Sequence, residues 1–162
     1  QALATSTRFF KDAGAMAVKL EGAHLSTVEK LTSAGIPVMG HLGLTPQSLH
    51  QLGGYRVQGR TDGDAIFEAA LALEKAGAFA IVLELVPAEL AARITKALSI
   101  PTIGIGAGST CDAQVLVWTD MAGFTANPPK LAKAYRNMRA DLLAATQEFA
   151  EEVRAGTFPS ER

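Results

Sequence analysis

A chain of 162 residues, 48% of them hydrophobic, is long enough for one domain with a sizeable core. Its formal net charge of -1 and the lack of any basic stripe argue against nucleic acid or an anionic membrane as partner. A single cysteine, Cys111, rules out an internal disulfide and fits a reducing cytoplasm; with three scattered histidines it makes no zinc cluster, and no apolar run is long enough to span a membrane.

Apolar periodicity predicts a helix over Leu3 to Ala13 closed by Gly14, then a strand over Met16 to Leu20. A helix over Leu25 to Ser33 leads to a strand over Ile36 to His41. Thr45-Pro46-Gln47-Ser48 places an N-cap residue before proline and predicts a short helix. The stretch Gly53 to Arg60 holds too many glycines for a helix and reads as a functional loop. Helices over Asp64 to Ala76 and Pro87 to Leu98 alternate with strands over Phe79 to Leu85 and Pro101 to Ile105. Val115 to Trp118 is a candidate short strand, and a long amphipathic helix runs from Pro129 to Ala155, stopping at Gly156.

Strand and helix thus alternate, which means βαβ units and a parallel sheet. A doubly wound open sheet and a (β/α)8 barrel both satisfy that pattern. The charges favour the barrel. Residues i and i+2 share one strand face, so Lys19 and Glu21 point to the same side, which a lumen open at its top accommodates. The expected fold is an incomplete (β/α)8 TIM barrel.

Three apolar runs, Ala17 to Gly22, Val38 to Gly43 and Ile81 to Pro87, each carry ionisable groups toward their C-terminal ends. Desolvating an unpaired charge is costly, and in parallel α/β folds that end of a strand is where active sites are built. Glu84, flanked by Val, Leu and Ile, suits a general base, because burial raises a carboxyl's pKa toward neutrality. Lys19 can pair with a substrate carboxylate. Glu21 can ligate a hard cation such as Mg2+, with further ligands required from elsewhere. His41 is either a pocket residue or a core histidine. The glycines of Ile103 to Ser109 either cradle a phosphate or let a loop pack closely. His24 and His50 read as solvent-facing, and Cys111 as an ordinary small residue.

Five segments stand in one order: Lys19-Leu20-Glu21-Gly22, Gly40 to Ser48, Gly53 to Arg60, Val82 to Pro87 and Ile103 to Gly108. Together they closely resemble the ketopantoate hydroxymethyltransferase family, from about Ala2 to Pro159. The resemblance implies a TIM barrel of the phosphoenolpyruvate/pyruvate type, with residues 1–162 as the C-terminal two-thirds of one barrel domain ending in helix 129–155. It implies transfer of a hydroxymethyl group from 5,10-methylenetetrahydrofolate to 3-methyl-2-oxobutanoate, giving ketopantoate for pantothenate and coenzyme A synthesis. It further implies Mg2+, a cytoplasmic setting and a large homo-oligomer, commonly a decamer. By motif match Glu84 is the base, Lys19 binds substrate and Glu21 belongs to the metal site; His41 stays a candidate substrate-binding residue from its strand-end position. The family's first strands, two metal-site aspartates and a substrate-binding serine lie ahead of the position of Gln1, so this segment alone is expected neither to close a barrel nor to turn over. Two other readings are a Mg2+-dependent keto-acid lyase or hydrolase of the isocitrate lyase type and an inert barrel piece serving as an assembly subunit.

Overall fold

The computed structural model describes residues 1–160, which divide into two compact units, one of Gln1–Val115 and one that begins at Leu116. The first unit runs α1 (Ala2–Ala13), β1 (Val18–Glu21), α2 (Leu25–Ser33), β2 (Val38–Gly43), a single 3-10 turn (Pro46–Ser48), α3 (Gly63–Lys75), β3 (Ala80–Glu84), α4 (Ala88–Ala97), β4 (Thr102–Ile105) and β5 (Ala113–Gln114). The sheet order is β1-β2-β3-β4-β5, and every neighbouring pair is parallel. A doubly wound sheet reverses direction at a switch point. Here each strand lies beside its successor with no reversal, the progression by which a barrel curls toward closure. The unit is the arc of a (β/α)8 barrel, as the strand-end charges suggested.

Strand and helix ends follow local chemistry. Gly14 closes α1 in the left-handed region at φ 66, donating its N–H to Phe9. β2 starts at Val38 rather than Ile36, because Pro37 has no N–H for the ladder, although its carbonyl accepts from Val18 at 3.0 Å. β1 and β2 then run on to Glu21 and Gly43, further than apolar periodicity placed their ends.

Alternation sends Val38, Leu42, Ile81 and Leu83 to one face, where they join Val28, Leu31, Leu73, Leu90 and Ile94 from the helices in the core. Each such side chain contributes about 1.5–3 kcal/mol by leaving water. The opposite face carries the chargeable residues. Register places Glu21 beside His41 and Gly43 beside Glu84.

No helix joins β4 to β5. The glycine-rich segment crosses over by itself, packed flat on the core side of the sheet. A Cβ on Gly104 would stand 3.0 Å from Cys111 Sγ, and one on Gly108 would stand 2.6 Å from the Ala88 Cβ at the start of α4. These glycines let the loop pack closely against its neighbours. Asp112 fastens the crossover: its Oδ2 accepts from the Thr102 N–H at 2.8 Å and from the Thr102 hydroxyl at 3.0 Å. Thr102 is fully buried and its hydroxyl also meets that of Thr95 at 2.8 Å.

Two element expectations are corrected. The last strand is Ala113–Gln114, not Val115 to Trp118: Val115 gives its N–H to Gly104, and β4 extends only one residue further for pairing. In the second unit Trp118 instead opens α5 (Trp118–Ala122), and the long helix α6 spans Met138–Ala155 rather than starting at Pro129. The Asn137 side chain accepts from the Ala140 N–H and sets that start, while Tyr135 ahead of it donates to the Met121 carbonyl at 2.8 Å. Gly156 ends α6 with φ 70, as its position suggested.

Candidate active site

Lys19, Glu21, His41 and Glu84 come together on the non-core face at the strand ends. Lys19 Nζ lies 3.1 Å from His41 Nδ1 and 3.6 Å from Glu21 Oε1. His41 Nε2 lies 3.1 Å from Glu84 Oε2. The His41 side chain is 3% exposed, and the two carboxylates are nearly as enclosed at 13% and 14%. Lys19 is the open member of the set.

An ammonium group has donors only, so Nδ1 of His41 accepts from Lys19, and the neutral ring carries its proton on Nε2. That N–H faces the Glu84 carboxylate at contact distance but off the line of a hydrogen bond. Nε2 is therefore the buried side-chain polar atom left without a partner among the described residues. A buried donor left without a partner costs about 1–3 kcal/mol. His41 thus sits between Lys19 and Glu84 within the strand-end cluster.

Backbone geometry aims Glu84 at this pocket. Gly43, with φ 90, leaves the space beside it clear, and Leu44 donates its N–H to the Glu84 carbonyl at 2.8 Å. Leu85, the next residue, has φ 48, a left-handed conformation that costs a residue with a Cβ about 1–3 kcal/mol. It is held there from both sides, its N–H bonded to the Ile105 carbonyl at 2.9 Å and its carbonyl to the Gln58 N–H at 2.8 Å. The chain turns sharply after the carboxylate and leads into α4.

Glu21 is also anchored from a distance. Its Oε2 accepts from the Gln47 N–H at 3.0 Å, so the Thr-Pro-Gln-Ser segment serves as a support for the acidic residue. Neither that support nor the turn at Leu85 carries a sequence signal, since both rest on backbone atoms. Asp112 was missed as well, and a lone aspartate after a cysteine offers nothing to single it out. His24 and His50 are exposed, and Cys111 is buried in the core. Among the described residues no group of three or more His, Cys, Asp or Glu could hold a metal ion.

A sequential parallel sheet with lysine, histidine and two carboxylates converging at its strand ends is the arrangement of a (β/α)8 barrel with its chargeable groups gathered at the C-terminal end of the strands. The fold agrees with the crystal structure of a phosphonopyruvate hydrolase, matched with a TM-score of 0.50 and 16% identity over 98% of this chain and 57% of that one. The chain belongs to the ketopantoate hydroxymethyltransferase family, whose model matches residues 1–161. It is similar to the 3-methyl-2-oxobutanoate hydroxymethyltransferases of Acidothermus cellulolyticus (61% identity over 98% of this chain and 60% of the relative), Frankia alni (58%; 99% and 54%) and Thermobifida fusca (57%; 100% and 59%). The chain therefore spans little more than half the length of these curated relatives.

Proposed function

We propose that the protein containing this chain transfers a hydroxymethyl group from 5,10-methylenetetrahydrofolate to 3-methyl-2-oxobutanoate, forming ketopantoate for pantothenate synthesis. The observation that carries the reading is the unpartnered, buried His41 Nε2 between Lys19 and Glu84. A short keto acid offers what this arrangement needs: a carboxylate for the lysine, an oxygen for the imidazole N–H, and an acidic proton within reach of the glutamate.

The roles divide by chemistry. Lys19 is the cation that pairs with the substrate carboxylate. His41 donates from Nε2 to a substrate oxygen. Glu84, aimed by the turn at Leu85, takes the proton from carbon 3, and that carbon then bonds to the one-carbon unit. Overall the keto acid gains CH2OH, its carbon from the folate and its hydroxyl from water.

Glu21 fits Mg2+ as one hard ligand of a larger set, with one carboxylate oxygen facing Lys19 and His41 and the other fixed by Gln47. Glu21 would be this chain's contribution to holding the cation, which when bound would supply Lewis acidity to the keto oxygens. The relatives' names favour transferase over lyase chemistry. Assembly as a homo-oligomer, commonly a decamer, and a cytoplasmic setting complete the reading. No helix among the described residues is long and apolar enough to cross a membrane.

The test is Glu84→Gln in the full-length protein. Exchange of the carbon-3 proton in deuterated water, which needs no folate, should vanish while the keto acid still binds. Exchange at the wild-type rate would overturn the assignment.

A further inference from the structure

The segment that joins β2 to α3 touches the strand-end cluster at two points, each time through its own backbone. Near its start the Gln47 N–H donates to Glu21 Oε2 at 3.0 Å, at the end of β1. Near its finish the Gln58 N–H donates to the Leu85 carbonyl at 2.8 Å, where the chain leaves β3. β2 lies between those two strands, so the segment swings from the end of β1, past the end of β2, to the end of β3. Its two feet stand on Glu21 itself and on the residue that follows Glu84.

The feet are firm. Proline at the start of the 3-10 turn fixes the backbone just before Gln47, and the Ser48 N–H closes that turn on the Thr45 carbonyl at 2.9 Å. Directly after Gln58, a Cβ on Gly59 would come within 2.7 Å of Leu90 Cδ2 and 3.0 Å of Ile66 Cδ1, and the Gly59 N–H bonds to Asp62 Oδ1 at 3.1 Å. The middle is not held in this way. Gly53 and Gly54 have φ 74 and 101, which glycine enters and leaves freely, and a Cβ on Gly54 would meet nothing within 4 Å. Tyr55, which follows, is 70% exposed, and Arg56 is exposed as well. Adjacent glycines in open space, between two seated ends, make a hinge.

We propose that Gln47 to Gln58 is a strap that turns at Gly53 and Gly54, closes over the bound keto acid and shuts water out of the space between Lys19, His41 and Glu84. The proposal rests on the transferase reading for its ligand and adds a moving part to that site. Closure has a chemical purpose: a carbanion formed at carbon 3 must meet the one-carbon unit before a proton from water returns to it. Because the feet bear on Glu21 and on the left-handed turn at Leu85, a strap drawn down by the ligand steadies both carboxylates together.

The experiment follows tryptic cleavage after Arg56 in the full-length protein, with and without 3-methyl-2-oxobutanoate and Mg2+. Saturating keto acid should slow that cleavage about fivefold or more, because cleavage tracks the population of the open strap. Cleavage after Lys133, exposed and outside the strap, should not change. A second arm loosens one foot at the surface. Asp62→Ala deprives the Gly59 N–H of its acceptor and should raise the calorimetric Kd for the keto acid about threefold, as expected for one lost hydrogen bond. Asp62→Asn keeps an acceptor oxygen and should bind nearly as wild type does. Unchanged cleavage after Arg56, equal slowing at both sites, or equal Kd values for Asp62→Ala and wild type would each overturn the strap. A wild-type protein that bound no keto acid in the calorimeter would instead sink the transferase reading, and with it the strap's ligand.

Discussion

Gly43 stands directly beside Glu84 across the β2–β3 pair, and a methyl group on it would fall 2.1 Å from the Glu84 carbonyl oxygen. The same methyl would lie 2.7 Å from Val86 Cγ1. No flexible side chain can move aside, because the first obstacle is the backbone of β3. Gly43→Ala should therefore force β2 and β3 apart at the site, with a cost of about 2 kcal/mol or more from strain and clash together. Urea unfolding read beside carbon-3 exchange checks this. Wild-type stability with wild-type exchange would show that the strand ends are looser than the packing implies.

His41→Leu and His41→Gln separate packing from hydrogen bonding. Leucine fills the volume but leaves Lys19 without its acceptor, at a cost of about 1–3 kcal/mol for disrupted buried polar contacts. Glutamine retains both an acceptor and a donor and should recover part of that stability. Keto-acid affinity, measured by titration calorimetry, should fall in the leucine variant and be partly restored in the glutamine variant. Equal affinity in all three proteins would remove His41 from the substrate site.

Asp112 should confer a pH dependence on stability. The Thr102 N–H, and then the Thr102 hydroxyl, stabilise its ionised form and hold its carboxyl below the usual carboxylate range. A group whose pKa is lower folded than unfolded contributes fully above the unfolded value, and the contribution fades as pH falls through the folded one. Asp112→Asn should therefore be less stable than wild type at neutral pH, and the two should converge in acid. Melting temperatures between pH 7 and pH 3 test the sign, and a gap that widened toward acid would contradict it.

Cys111 packs against Gly104 in the core and touches none of the reacting groups. Cys111→Ala should keep full turnover in the full-length protein and lose only about 1 kcal/mol of stability. Loss of turnover with stability intact would give the thiol a chemical role.

Much of this was legible from residue order, for identifiable reasons. Burial on both faces makes β2 and β3 read as continuous apolar runs, and a charge placed within such a run stands out against its neighbours. That is how His41 and Glu84 stand out, while Lys19 and Glu21 on β1 are marked by their i, i+2 spacing on one strand face. Capping glycines at 14 and 156 were equally plain, because a left-handed helix end has few chemical solutions. The start of α6 was misplaced because helical periodicity continues through Pro129 to Arg136, whereas a single Asn137 cap sets the boundary.

The residue types, their alternation and their strand-end positions are local properties, and the chain carries them openly. Which of them meet is not local. Register brings Glu21 beside His41, the absence of a helix lets the glycine crossover lie flat on β4, and the left-handed turn at Leu85 points Glu84 inward. Each depends on backbone hydrogen bonds and close approaches between segments distant in the chain, and such contacts leave no imprint on the identity of either residue until the sheet has assembled.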